Sequence, residues 1–358
     1  MTPASRAAFA ATLLLASACA TGPITGTPVR WPAEPDPPRV RFSRALISEA
    51  DVESGMAAFR RALTGRHPLG FKQPSGLAVG DGGNEVYVAD QSLGQVLRWN
   101  FEARTLEVFA PDFALASPFG LAIDGRGDVY VSQPPRRSIQ VFDHAGKLLR
   151  EFGSDAERPT GIAVDRARGL LYVCDGSFPT SQRHRVLVYS LGGQLLRTIG
   201  TRGTEAGQFN FPGAVAVDGQ GNVYVVDTLN ARVQVFDPAG RLLRIFGERG
   251  EGPGMFARPK AIAVDRRGIV YVVDGENGVV DLFDQENRFL MAFGGKAGLL
   301  EYFQMPASIA LDPAHDLVYV GDEGPAPRVN VYQFLPDPGG PAAPAPAGAG
   351  SAASPASR

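Results

Sequence analysis

Along residues 212–247, PGAVAVDGQGNVYVVDTLNARVQVFDPAGRLLRIFG, apolar and polar positions follow the period of strands rather than of a helix. Residues 214–218 form a short apolar run and 219–222 a Gly-bearing turn; 223–227 is β-branched and aromatic, and 232–237 and 242–247 alternate. The pattern predicts four short antiparallel strands. One such unit cannot bury both of its faces, whereas several stacked side by side can.

Five further copies accompany it. Each opens on a Pro shortly before an apolar strand, at Pro74, Pro118, Pro159, Pro212, Pro259 and Pro306. The opening strands read GLAVG, GLAID, GIAVD, AVAVD, AIAVD and SIALD, and the second strands EVYVAD, DVYVSQ, LLYVCD, NVYVVD, IVYVVD and LVYVGD. Four strands recurring every ~40–50 residues predict an all-β, six-bladed β-propeller of four-stranded antiparallel blades. The sixth copy stops at Phe334 without a fourth strand. Residues 39–47, where Val40 and Phe42 alternate with Arg39, Arg41 and Ser43, are expected to supply it and close the ring, so the body runs over 39–334. Within it, residues 48–65 place Val52, Met56, Phe59 and Leu63 at i, i+4, i+7 and i+11. This predicts one amphipathic helix, with Ser48 as N-cap, Gly65 as C-cap and its apolar face against the body.

The two ends follow other rules. Residues 1–18 combine Arg6, an apolar run over 7–15 too short to span a bilayer, and Ala16-Ser17-Ala18 before Cys19, the layout of a secretory signal. Ala16-Ser17-Ala18 suits ordinary cleavage; the run into Cys19 also resembles a bacterial lipobox, with Leu15 one place further out than that motif sets it. The expectation is export, lipidation of Cys19 and anchoring at the bacterial outer membrane, facing the periplasm or the cell surface. Residues 19–38 read as a Pro-rich tether and 335–358, mostly Ala, Pro, Gly and Ser, as a disordered tail.

Composition narrows the functional classes. The net charge is −2, and residues 1–18 hold one Arg and no acid, so the mature chain is near −3 and carries no basic footprint for nucleic acid. Cys19 and Cys174 are the two cysteines, too few for a disulfide framework. Cys174 falls inside a strand and is expected to be a buried small hydrophobe.

Residues 74–334 resemble the NHL-repeat family. Blade four carries the family pattern nearly whole, in Asp218, Gly221, Tyr224, Asp227, Asn230, Arg232, Phe236 and Gly240; blade two has Gln133 in place of the second-strand Asp, and blade one Gly80 in place of the first-strand Asp. The resemblance implies the propeller fold. NHL-like propellers include lyases, lactonases, RNA binders and interaction scaffolds, so the fold alone does not choose among them.

In an up-and-down blade, the fourth-to-first and second-to-third connections emerge on one face. The long connections 176–185, 201–211, 248–258 and 295–305 all belong to it, which makes that face the expected ligand surface. Three of them are copies: GTRGTEAGQFNFP, GERGEGPGMFARP and GGKAGLLEYFQMP. They align Arg202, Arg249 and Lys296 as a candidate cationic arc for an anionic ligand, with simple solvation as the alternative; Lys260 is a further candidate. Phe209, Phe256 and Phe303 align as plugs between blades. Lyases and lactonases of similar fold gather metal ligands near the first strands, yet Ser75, Phe119, Thr160, Gly213, Lys260 and Ala307 follow the six prolines. No catalytic residue and no cofactor is therefore assigned. Asp90, Asp175, Asp227, Asp274 and Asp322 share the long-loop face; they are read as caps of their own loops, with Ca²⁺ ligation as the lesser alternative. The function expected is a non-catalytic, lipid-anchored scaffold of the cell envelope that binds an envelope protein or an anionic ligand. A divalent-cation-dependent lyase or lactone hydrolase acting at the channel mouth is the alternative.

Overall fold

Each of the six copies folds as one antiparallel sheet. Blades 1 to 5 span residues 74–109, 121–152, 159–199, 212–246 and 259–294. The computed structural model describes residues 29–32, 39–51, 53–65, 67–80, 82–176, 181–295 and 302–335; the signal, Cys19, Lys296 and the tail lie outside the described residues. Blade 6 takes three strands from the C-terminal end of the body, Pro306–Asp312, Leu317–Asp322 and Arg328–Phe334, and its fourth, Val40–Leu46, from the N-terminal end. Val40 pairs with Phe334 and Leu46 with Val329, so the two ends of the body are locked in one sheet.

Within a blade, the second and third strands are apolar on both faces because both faces meet a neighbouring blade. Between blades 4 and 5, Tyr224, Val226, Val233 and Val235 pack against Ile262, Val270, Val272 and Phe283. Burying each such side chain contributes about 1.5–3 kcal/mol. Around the channel the innermost strands approach closely. A Cβ on Gly76 would lie 2.0 Å from the Phe119 carbonyl oxygen, so a side chain there would push blades 1 and 2 apart. Hydroxyls stitch the ring: Ser75 Oγ donates to Pro118 O at 3.3 Å, Ser132 Oγ to Thr160 O at 2.6 Å and Ser308 Oγ to Pro74 O at 2.9 Å. The last of these crosses the seam between blades 6 and 1.

The repeated Asp and Tyr of the first hairpin form a working pair. Asp218 Oδ1 accepts from Gln220 N and Asn222 N, and its Oδ2 accepts from Tyr224 Oη at 3.4 Å. Blade 1, with Gly80 in place of the Asp, uses Glu85 to accept from Tyr87 Oη at 2.9 Å.

The expectations for the helix and for the tether are corrected. The helix spans Gly55–Thr64, not 48–65: Ser54 caps it by accepting from Ala57 N, and Gly65 ends it in the left-handed region at φ 66°. Ser48 serves a separate 3₁₀ turn, Glu49–Asp51, instead: its Oγ accepts from Ala50 N, and Asp51 accepts from the amides of Ile47 and Ser48. Its apolar face does not pack on the body; Met56, Phe59 and Leu63 are 63%, 59% and 71% exposed. The described part of 19–38, residues 29–32, is not tether. Arg30–Trp31 adds a strand outside Val40–Leu46, and the Trp31 ring lies 5.8–6.1 Å from those of Phe293, Tyr302 and Tyr332. A large aromatic side chain gains more from that apolar surface than from water.

Candidate functional site

The strand order puts the helix on the same face as the long loops. Val40–Leu46 is the fourth strand of blade 6, so residues 47–73, which contain the helix, are its connection to blade 1. The tight first-to-second and third-to-fourth turns lie opposite.

The five second-strand aspartates sit beneath this face, and each is fully buried. Asp90 accepts from the amides of Lys72, Gln73 and Leu93; Asp175 from Glu157 and Arg158; Asp322 from Gln304 and Met305. Asp274 accepts from four amides, those of Ala257, Arg258, Glu276 and Asn277. Asp227 Oδ1 accepts from Asn210 N, while its Oδ2 takes Asn230 Nδ2 and Arg232 Nε at 2.8 and 2.9 Å. Burial pushes the Asp227 carboxyl up, against the pull of these donors. The aspartates are clips that tie each incoming loop to its blade, and the structure does not bring them together as a ligand set. Among the described residues, no group of three or more His, Cys, Asp or Glu side chains is arranged to hold a metal ion.

Gln133, which replaces the Asp in blade 2, serves as a clip of the same kind by accepting from Ala116 N at 2.7 Å. His184 opens the third strand of blade 3, fully buried, and its Nδ1 accepts from Phe211 N at 3.0 Å. Cys174 is fully buried, and burial pushes its thiol up, away from the reactive thiolate.

Two of the three arc cations brace loops. Arg202 Nη1 donates to Ser181 O at 2.8 Å and Arg249 Nη2 to Leu229 O at 2.7 Å, each reaching the second-to-third connection of the preceding blade. The aligned aromatics are plugs: Phe209, Phe256 and Phe303 are at most 1% exposed, each seated between two blades. Lys260 stands at the channel mouth, where its Nζ lies 3.6 Å from Glu323 Oε2. Burial pushes the Glu323 carboxyl up while the Lys260 charge pulls it back. Sequence reasoning missed Glu323, which follows the clip Asp322 directly and has no counterpart repeated in the other copies.

It also missed a cleft of about 560 Å³ on blade 5, under the loop from blade 4. Asp281 lies in its wall, 3% exposed, with Oδ2 lacking any hydrogen-bond partner. Burial, and then the Asp274 charge, push the Asp281 carboxyl up to about 7.

Fold and face together define a six-bladed β-propeller whose elaborations collect on one side. Comparison with known proteins agrees on the fold: residues 209–290 match the DUF5128 family, described as a 6-bladed beta-propeller. Over 116 residues, 31% of its length, the chain is 31% identical to "Protein brain tumor" of Drosophila melanogaster, of which the match covers 10%. The chain thus spans about a tenth of the length of the NHL-repeat relatives it matches. Among solved structures it is similar to a gluconolactonase of Xanthomonas campestris, with 19% identity, TM-score 0.57, and 82% of this chain and 98% of that one covered. It is likewise similar to the calcium-binding protein regucalcin of Agrobacterium tumefaciens, with 12% identity, TM-score 0.58, and 81% and 93% covered. At these identities the likeness is one of fold.

Proposed function

We propose that the protein is a non-catalytic scaffold of the bacterial cell envelope, exported and anchored by lipid on Cys19, that binds a partner protein through the long-loop face. The observation that carries this reading is the helix in the blade 6 to blade 1 connection. It presents Met56, Phe59 and Leu63 to solvent on the face that also bears the three long copied loops. An exposed apolar stripe of this kind marks an interaction surface. Because Arg202 and Arg249 brace loops, an anionic ligand ranks behind a protein partner. Two experiments test the reading. Cys19→Ser should release the protein from the membrane fraction into the soluble periplasm. Replacing Met56, Phe59 and Leu63 together by Ser should abolish partner capture from native membranes while leaving the fold intact; capture that survives the triple change refutes this face.

A divalent-cation-dependent lyase or lactone hydrolase is the second reading. It is favoured by the Lys260–Glu323 pair, an acid and a base held at the channel mouth. A stoichiometric Ca²⁺ or Zn²⁺ in unchelated protein, whose removal abolishes turnover on a lactone panel, would decide for it.

A further inference from the structure

The blade 5 cleft gains its meaning from the copies beside it. In blades 3, 4 and 6 the third-strand residue paired with the second-strand aspartate is an arginine that reaches back to it. Arg185 Nε lies 3.2 Å from Asp175 Oδ2, Arg232 Nε 2.9 Å from Asp227 Oδ2, and Arg328 Nη2 3.1 Å from Asp322 Oδ2. The same guanidinium pins the incoming loop. Arg232 Nη2 donates to the carbonyls of Glu205 and Gln208 at 2.8 and 2.9 Å, and Arg328 Nη2 to that of Tyr302 at 2.6 Å.

Blade 5 departs from this at both positions that matter. Val279 stands where Arg232 stands in blade 4, and Asp281 where Gln234 stands. Gln234 fills its site: Nε2 donates to Gln208 O and Asp227 Oδ2, and Oε1 accepts from Gly207 N. Asp281 is shorter and cannot donate when ionised, so it leaves an open cleft with a buried, unpartnered carboxylate oxygen. Gly252 and Met255, in the positions of Glu205 and Gln208, line the same cleft. Blade 1 shows that losing the arginine alone does not produce this arrangement: Gln95 stands at the arginine position, but apolar Leu97 stands at the next inward one.

From this substitution we infer that the blade 5 cleft binds an alkylguanidinium group supplied from outside the chain, in the place that Arg232 fills with its own guanidinium in blade 4. The planar fork of a guanidinium matches a carboxylate flanked by main-chain carbonyls, and an ammonium matches it less well. Glu251 and Glu276 at the rim add attraction, while Pro253 and Phe289 offer apolar surface to the alkyl stem. The group could belong to a free alkylguanidine or to an arginine side chain of a partner; recognition is the same, and the site stands apart from the helix surface.

The test is titration of the full mature protein at pH 8 with ethylguanidinium, with N-acetyl-arginine N-methylamide, and with propylammonium, followed by calorimetry. Ethylguanidinium should bind at one saturable site, at least tenfold more tightly than propylammonium. Tighter binding of the arginine derivative assigns the group to a polypeptide, and equal or weaker binding to a free alkylguanidine. Asp281→Asn should weaken binding at least tenfold, and Val279→Arg should abolish it by restoring the internal guanidinium. If Val279→Arg fails to fold, Asp281→Asn decides alone. Absence of saturable binding by both guanidinium probes, or equal binding by wild type and Asp281→Asn, would overturn the assignment.

Discussion

Asp281 carries a measurable stability signature. Its carboxyl is 3% exposed and pushed from 3.8 up to about 7 by burial first and the Asp274 charge second. Below pH 3.8 the group is protonated in both folded and unfolded chains, and it costs nothing relative to a neutral isostere. Between pH 3.8 and about 7 the unfolded chain releases the proton while the folded one keeps it, so rising pH favours unfolding. Above about 7 both states are ionised and the cost is complete, at about 4 kcal/mol. Water entering the cleft screens the charge, so about 2–4 kcal/mol is the working range. Asp281→Asn removes the ionisation and keeps the shape. The variant should match wild type near pH 4 and exceed it at pH 8, with roughly two-thirds of the gap opening between pH 5 and 8. Urea denaturation of both proteins at a series of pH values reads this difference. The other charges that face the group, Asp274 on the adjacent strand and Glu251 and Glu276 at the rim, are present in both chains, so the difference isolates the Asp281 charge together with its repulsion by Asp274. A gap that does not vary with pH would refute the buried-charge account. Stability gained together with guanidinium binding lost would mark Asp281 as a site kept at the fold's expense.

Other consequences follow from the clips and plugs. Phe256→Ala empties a fully buried position between blades 4 and 5 and should cost about 3–5 kcal/mol in chemical denaturation. Gly247→Ala should cost about 2 kcal/mol or more, because Gly247 sits at φ +82° and a Cβ there would lie 2.2 Å from the Phe256 ring; Gly200 and Gly294 face Phe209 and Phe303 in the same way. Arg232→Ala leaves the buried Asp227 without its guanidinium and should cost about 3–5 kcal/mol, whereas Arg249→Ala, at an exposed brace, should stay within about 1 kcal/mol. Equal losses at the two arginines would contradict the distinction drawn between clip and brace.

The propeller was legible because each strand is short, its turn residues recur at fixed offsets, and neighbouring copies repeat the pattern. The closing strand was legible from a missing one. The phenylalanine plugs could be read from their recurrence, since every blade junction must be filled. The helix starts later than expected because Ser48 and Asp51 close a separate 3₁₀ turn and Ser54 caps the helix, a choice between neighbouring serines that propensity does not reveal. Its exposed face could not be read either, since periodicity identifies an apolar stripe and not what covers it. Trp31 was lost in a Pro-rich stretch because its partners, Phe293, Tyr302 and Tyr332, lie far away in the chain. Arg202 and Arg249 of the arc brace loops for a physical reason: loop tips carry carbonyls as well as water, and a guanidinium satisfies them first. Asp281 was visible in principle. Aligned copies show Arg and Gln in blade 4 against Val and Asp in blade 5, but in a single strand an Asp between apolar residues passes for an outward-facing polar position.

The central claim is that the long-loop face, and not the opposite one, meets a partner in the envelope. The most direct measurement places a photo-crosslinking amino acid in living cells at position 59 on the helix and, separately, at position 220 in a tight turn of the opposite face. The account predicts a discrete protein adduct from position 59, lost in a Cys19→Ser background, and none from position 220. Adducts from 220 and none from 59 would contradict it.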